Sequence, residues 1–450
     1  MASDNQDKAV LHYPGGEYEM PIVEAKEGNS GFALGKLLAE TGMTTIDPGY
    51  VNTGSTFSEI TYIDGDAGIL RYRGYDIADL ANNATFNEVS YLLINGELPN
   101  ETQLNEFNDN IRKHTLLDED FKSQFKIFPR DAHPMNVLAS SVNILATYYE
   151  NELDPLNKDF QLKNTHRLMA KVPMLAAYAY RASKGKPYMY PDNKLNAREN
   201  FLRNMFGYPT EDYEVDPVLS KALDKLLILH ADHEQNCSTS TVRMVGSAQA
   251  NIYSSIAAGV NALSGPLHGG ANQAVLEMLE EIDANGGDAT DFMTRVKNKE
   301  PGVKLMGFGH RVYKSYDPRA AIVKESTHEI LEHLGGDHLL DLAMKLEEIA
   351  LNDDYFISRK LYPNVDFYTG IIYKAIGFPT EMFTVLFAIG RLPGWIAQWQ
   401  EMIHDPETKI GRPRQIYTGE AERPYTAMED RTGTSELRLA ALKAEMDKRA

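Results

Sequence analysis

The chain has 450 residues, with 45 Lys and Arg against 64 Asp and Glu, and its formal net charge of −19 argues against a nucleic-acid-binding protein. With 43% hydrophobic and 24% charged residues it has the balance of a globular chain able to bury a sizeable core, in about three domains at roughly 150 residues each, and disorder is not expected. One cysteine, Cys237, excludes an internal disulfide, a Cys-x-x-Cys redox pair and a multi-cysteine zinc knuckle.

Met1 to Lys8 carry no basic stretch leading into an apolar run, so no leader is expected and the protein is expected in the cytoplasm. Val10–Tyr13 and Glu17–Met20 flank Pro14-Gly15-Gly16, a hairpin signal, and Ile60–Ile63 leads through Asp64-Gly65-Asp66 to Ile69–Tyr72. Residues 1–75 are therefore expected as a small β-rich unit. From Thr85 the period becomes helical: Thr85-Phe86-Asn87-Glu88 is a capping box, and Val89, Leu92 and Leu93 follow before Asn95-Gly96 and Pro99 end the helix. Helices dominate from there on. A Gly/Pro/Tyr/Asn-rich loop is expected between Ser183 and Asn196. The stretch Gly246–Leu263, rich in Ala, Ser and Gly, is expected as one helix that permits close approach, in the core or across a subunit interface. Gly286-Gly287 and Pro301-Gly302 punctuate the region after residue 280. Asp317-Pro318 supplies an N-cap and an N1 proline for a helix ending at Gly335-Gly336, and Asp337 begins another that runs to Asn352-Asp353. The apolar tract Met382–Trp399 holds Arg391 and Pro393, both costly in a lipid-facing span, so no membrane segment is expected.

Generic motifs fail in informative ways. Gly31–Lys36 lacks the first glycine and the Ser/Thr of a phosphate loop, Gly307-Phe308-Gly309 is followed by Val312 instead of the third glycine of a dinucleotide fingerprint, and no Gly-x-Ser-x-Gly elbow exists. His233-Glu234 begins like a zinc-protease helix but lacks its second histidine. On a helix, His230, His233 and Glu234 would share a face at i, i+3, i+4, a spacing as compatible with a buried, hydrogen-bonded histidine as with metal ligands.

Three stretches concentrate chemistry. Gly265-Pro266-Leu267-His268-Gly269-Gly270 runs into a helix start, where the dipole keeps His268 neutral and able to donate to a developing oxyanion; the alternative is a histidine capping its own helix. Gly307–Arg319 gathers His310, Arg311, Lys314 and Arg319 ahead of a helix, a loop suited to an anion, with Arg319 able to grip a carboxylate and His310 to polarise a carbonyl; the alternative is a solvated basic loop. Tyr362–Gly370 sets Asp366 among aromatic and apolar residues, as a base or as an N-cap.

Taken in order, His230-Ala231-Asp232-His233-Glu234, Gly265–Asn272, Gly307–Arg319 and Pro363-Asn364-Val365-Asp366 resemble citrate synthase, and the β-rich start with the ending Lys409–Gly419 resembles the longer bacterial form. The resemblance covers nearly the whole chain. It implies a mainly α, two-domain helical fold with a small N-terminal β-rich unit: residues 1–75, a large helical domain of 76–280 and 386–435, a small helical domain of 281–385, and a tail of 436–450. It implies condensation of acetyl-CoA with oxaloacetate to citrate and CoA. Asp366 matches the base, His268 the donor to the thioester oxygen, and His310 the group that polarises the oxaloacetate carbonyl. His233, Arg319 and Arg391 match oxaloacetate ligands, and Arg412 matches one donated by a partner subunit. Lys314, Arg359 and Lys360 are candidates for the coenzyme A phosphates. No metal and no tightly bound cofactor are implied, acetyl-CoA being a co-substrate. A homodimer is the minimum active form and a hexamer the larger alternative. In Gram-negative members of the long form a basic cluster and a cysteine serve an NADH site; here Lys113-His114-Thr115 keeps part of the cluster, and Thr210 stands where the cysteine would lie. The nearest rival is 2-methylcitrate synthase acting on propionyl-CoA, because one methylene is worth only about 1–3 kcal/mol in an apolar pocket. A metal-dependent hydrolase using His230, His233 and Glu234 is a distant one, and a non-enzymatic ligand-binding relative is another.

Overall fold

The computed structural model describes residues 8–310, 312–336, 338–431 and 435–447, so Arg311 of the His310 loop, the Asp337 expected to begin a helix and the end of the 436–450 tail lie outside the described residues. Contacts divide the chain into two compact units, one of Met1–Gly54 with Arg412–Ala450 and one of Ser55–Gly411. In the first unit β1 (Lys8–Tyr13) and β2 (Gly16–Val23) form an antiparallel hairpin in which Val10 faces Glu19, and β3 (Gly31–Phe32) adds to β2. The Pro14-Gly15-Gly16 turn is where expected, with Gly16 at φ +144°. Tyr18, Met20 and Leu37 make a core of their own there.

The second unit opens on β4 (Thr61–Asp64), β5 (Ile69–Tyr72) and β6 (Tyr75–Asp76), so the strands expected as one 1–75 unit divide between the two. Ile63 pairs with Leu70 across β4 and β5. The rest is helical around a single hydrophobic core. Phe86–Asn95 carries the expected capping box between Thr85 and Glu88 and stops at Gly96 in the left-handed conformation.

The helix Phe383–His404 runs through the middle of this unit with almost every residue buried, including Arg391, Pro393, Trp395 and Trp399. No helix among the described residues is long and apolar enough to cross a membrane.

Two expectations are corrected. Gly246–Leu263 is not one helix: Cys237–Gly246 ends there, Gln249 turns the chain at φ +59°, and Ile252–Leu263 restarts behind an Asn251 cap. The small residues still serve close approach, since a Cβ at Gly259 would lie 2.6 Å from Val242 and 3.3 Å from Trp395. Likewise the helix Pro217–His230 ends at His230, and Glu234 has φ +50°, so the i, i+3, i+4 face of His230, His233 and Glu234 never forms.

Candidate active site

Each of the four motif segments is held by its own backbone device. His233 lies in the turn between helices Pro217–His230 and Cys237–Gly246. That turn is anchored from below by the β4–β5 pair: Thr61 Oγ1 donates to Asp232 Oδ2 at 2.7 Å, and the buried Tyr72 hydroxyl donates to the Asp232 carbonyl at 3.0 Å. His268 sits in the turn before Ala271–Ala284, where Gly269 N–H donates to the Leu263 carbonyl and its own carbonyl accepts from Thr384 Oγ1 at 3.0 Å. Residues 307–309 pair with 362–364: Gly309 N–H donates to Tyr362 O at 2.8 Å, Asn364 N–H to Gly307 O at 2.9 Å, and Asn364 Nδ2 to Gly309 O at 2.8 Å. This pairing brings the His310 loop to the start of Asp366–Ile376, whose first residue is Asp366.

The protonation states follow from these contacts. His310 Nδ1 accepts from the backbone N–H of Val312 at 3.0 Å and of Tyr313 at 3.2 Å, so the neutral ring carries its proton on Nε2. Burial, with the Arg319 charge, pushes its pKa down to about 4. His268 Nε2 accepts from the Ser238 backbone N–H at 3.2 Å, with Ser238 Oγ at 2.9 Å, which leaves its proton on Nδ1. Ser238 Oγ is itself fixed by Asn236 and Trp395. His233, buried, stands with Nε2 3.3 Å from the Tyr313 hydroxyl and its ring 5.3 Å from that of His310; burial, then Arg319, holds it well below the usual histidine range.

Charges are handled differently. Arg319 is buried and grips Asp317 through Nε at 3.0 Å and Nη2 at 2.9 Å, and the second oxygen of Asp317 also accepts from Val365 N–H at 3.1 Å. Burial lowers the Arg319 pKa, but the Asp317 partner outweighs it and holds it above the ordinary value. Arg391, from the central helix, is fully buried, donates from Nε to the His230 carbonyl at 2.6 Å and lies 5.0 Å over Phe387; burial pushes it down to about 10. Asp366 is half-buried, no protein donor reaches its carboxylate among the described residues, and burial pushes its pKa up to about 6. Arg319 lies within electrostatic range of His233, His310 and Asp366, and Arg391 of His233 and Asp366, a grouping of cations, imidazoles and a carboxylate suited to a dicarboxylate and to proton transfer beside it.

Arg412 is exposed and is the first residue of the C-terminal segment of the smaller unit, whereas the other candidates belong to the larger one. Lys314 points to Asp66 at 3.2 Å, its side chain 61% exposed. Arg359 stacks 3.9 Å over Tyr355, and the exposed Lys360 has φ +56°. His230 turns away from ligand duty: Nδ1 donates to the Leu226 carbonyl at 2.7 Å and the ring packs on Phe387 at 4.6 Å. Residues missed as site members are Asp317, Tyr313, Ser238 and Phe387. Asp317 carried a signal as an N-cap and Tyr313 as a phenol of the Gly307–Arg319 loop; the Asp317–Arg319 bond is local, two residues apart, whereas the tie from Asp317 to Val365 depends on contacts that spacing does not encode.

Residues 49–414 match the family described as "Citrate synthase, C-terminal domain". The citrate synthase of Corynebacterium glutamicum is 76% identical over 432 residues, 96% of this chain and 99% of that protein, and citrate synthase 1 of Mycobacterium tuberculosis is 63% identical over 95% of this chain and 100% of its own length. Among solved structures, the citrate synthase of Pyrobaculum aerophilum superposes with a TM-score of 0.78 at 35% identity, covering 96% of this chain and all of that one. The ternary complex of carboxymethyl coenzyme A and oxaloacetate with citrate synthase from Thermoplasma acidophilum superposes with a TM-score of 0.79 at 32% identity, covering 86% of this chain and all of that one.

Proposed function

The chain belongs to the citrate synthase family, and from that premise we propose that it condenses acetyl-CoA with oxaloacetate and water to citrate and CoA, the entry step of the tricarboxylic acid cycle. It is an acyltransferase. Oxaloacetate lies between His233, Arg319 and Arg391, its carboxylates on the guanidiniums and its ketone oxygen on His310 Nε2–H. Asp366 removes a methyl proton from acetyl-CoA while His268 Nδ1–H donates to the thioester oxygen, so that charge developing on that oxygen is met as it forms. The enol carbon then bonds to the ketone carbon of oxaloacetate, and the ketone oxygen becomes the hydroxyl by taking the His310 proton. Water finally cleaves the citryl thioester: its oxygen completes the new carboxylate, one of its protons leaves on the CoA thiol and the other goes to solvent, while the proton taken up by Asp366 balances the one given by His310, so the enzyme returns to its starting state.

The observation that carries this reading is the pair of opposite tautomers. Backbone N–H groups donate to Nδ1 of His310 and to Nε2 of His268, which supports two neutral rings with their protons on the opposite nitrogens, as the proposed donation to two substrate oxygens needs. The segment 281–385 acts as a small domain whose closure excludes water before condensation. Arg412 completes the site of a partner subunit, in a cytoplasmic homodimer, and Lys314, Arg359 and Lys360 meet the coenzyme A phosphates. The test is oxaloacetate-dependent thiol release from acetyl-CoA and propionyl-CoA in parallel, before and after EDTA treatment. Strong acetyl preference, insensitive to EDTA and lost in Asp366→Ala, is expected. Propionyl preference would move the protein to 2-methylcitrate synthesis, and full activity of Asp366→Ala would remove it from the role of base.

A further inference from the structure

Behind Asp366 and Arg319 lies a buried carboxylate that the mechanism does not use. Glu347, in the middle of the helix His338–Asn352, is 3% exposed. Its Oε1 accepts from the Tyr316 hydroxyl at 3.1 Å, and its Oε2 accepts from the Tyr368 hydroxyl at 2.5 Å and from Lys324 Nζ. These three partners come from three different segments. Tyr316 directly precedes Asp317, which holds Arg319. Tyr368 is two residues after Asp366, in the first turn of the same helix. Lys324 is on the helix Pro318–Leu334, which Arg319 enters at its first turn.

Besides the Glu347 bridge, Val365 N–H bonds Asp317 and residues 307–309 pair with 362–364, so these polar ties all reach the chain just before the Asp366 helix begins. The Glu347 bridge instead reaches Tyr368, inside the first turn of that helix, and adds a polar tie that resists its rotation about the earlier points. A buried carboxylate satisfied by two phenols and an ammonium is stiff, because releasing any one partner leaves a desolvated group unpaired.

We propose that Glu347 is a positioning residue for the condensation: by tying Tyr316 of the arginine loop to Tyr368 of the base helix, it sets the Asp366 carboxylate at the height over the Arg319-bound substrate from which the methyl proton can be taken. The inference rests on the reading of Asp366 as the base. Glu347 touches no substrate and acts through the two tyrosines.

The test uses the full-length enzyme and four variants, Glu347→Gln, Tyr316→Phe, Tyr368→Phe and the Tyr316→Phe/Tyr368→Phe pair, with acetyl-CoA carrying a CH3 or CD3 group. Displacing a reacting group by a fraction of an ångström to 1 Å costs on the order of 10- to 100-fold. Glu347→Gln is expected to lower kcat by about that factor, keep oxaloacetate binding within about threefold by calorimetry, and raise the deuterium isotope effect as proton removal becomes slower than the later steps. Each single tyrosine variant gives a partial version, and Glu347→Gln added to the double variant costs little more, because the bridge is already gone. A lower fraction of folded enzyme would reduce kcat without touching the isotope effect, and that result overturns the proposal, as does an unchanged kcat. If Glu347→Gln does not fold, the two Tyr→Phe variants carry the same readouts. Failure of the underlying reading shows separately, as condensation surviving Asp366→Ala.

Discussion

At Asp366 the demands of folding oppose those of the base proposed there. Burial raises its pKa from 3.8 to about 6, so across that window the unfolded chain is ionised at this position while the folded one is still protonated. The folded state then binds the extra proton, and stability falls as pH rises through the window; above it the ionised carboxylate costs up to roughly 3 kcal/mol. Asp366→Asn is expected to melt at a progressively higher temperature than the parent as pH is raised from about 4 to about 7, while kcat falls by about 10²- to 10⁴-fold. Equal pH dependence of the two melting curves would show that the carboxylate is not desolvated. In the parent enzyme kcat/KM for acetyl-CoA should climb with pH through about 6 as Asp366 loses its proton, with His310, at about 4, already neutral across that range. A rate that is flat from about pH 5 to 7 would exclude Asp366 as the titrating base.

At the scale of elements, the site depends on how two loops are brought edge to edge. Gly307 starts the His310 loop at φ +76°, and a Cβ there would stand 2.7 Å from Val275 Cγ2 and 3.0 Å from Phe367 Cα. Gly307→Ala should therefore cost roughly 1–3 kcal/mol and lower kcat as well, because the displaced backbone is the one paired with residues 362–364. Gly302→Ala is the control: its φ is +85° but nothing lies within 4 Å of its Cβ, so it tests backbone strain alone. Thermal melts and initial rates on both separate the two terms, and similar losses in the two variants would remove the packing argument. The same reasoning explains which helices were legible. Thr85/Glu88 and Asp317-Pro318 are local caps and sit where the spacing predicts. The break after Gly246 was hidden because Ala, Ser and Gly suit both a helix and the turn that interrupts it, and Gln249 carries no turn signature.

For the whole molecule, the two buried guanidiniums proposed to bind the substrate's carboxylates belong to the larger unit, while Arg412 belongs to the smaller one. If Arg412 serves a partner's site, Arg412→Ala and Asp366→Ala proteins, each inactive alone, should recover a fraction of the parental rate when mixed under conditions of subunit exchange, because hybrid dimers contain one site with neither change. No recovery despite demonstrated exchange would place Arg412 outside a shared site. Lowering the ionic strength should strengthen oxaloacetate binding less than the buried arginines alone would suggest, since the chain as a whole carries −19 and repels dianions at long range.

The sequence by itself determined what is local or carried by order along the chain: the hairpin at Pro14-Gly15-Gly16, the capped helices, the exclusion of an internal disulfide, and the four motifs whose succession marks the family. What only the tertiary structure decided is how charges and protons are arranged. The His230–Glu234 stretch leaves the helix because Asp232 is drawn to Thr61 and Tyr72, residues some 160 to 170 positions away, and no periodicity can report that pull. The tautomers of His268 and His310 are set by backbone N–H groups, which every sequence possesses and none advertises. The link from Arg319 through Asp317 to the start of the Asp366 helix likewise exists only once residues far apart in the chain have been folded together.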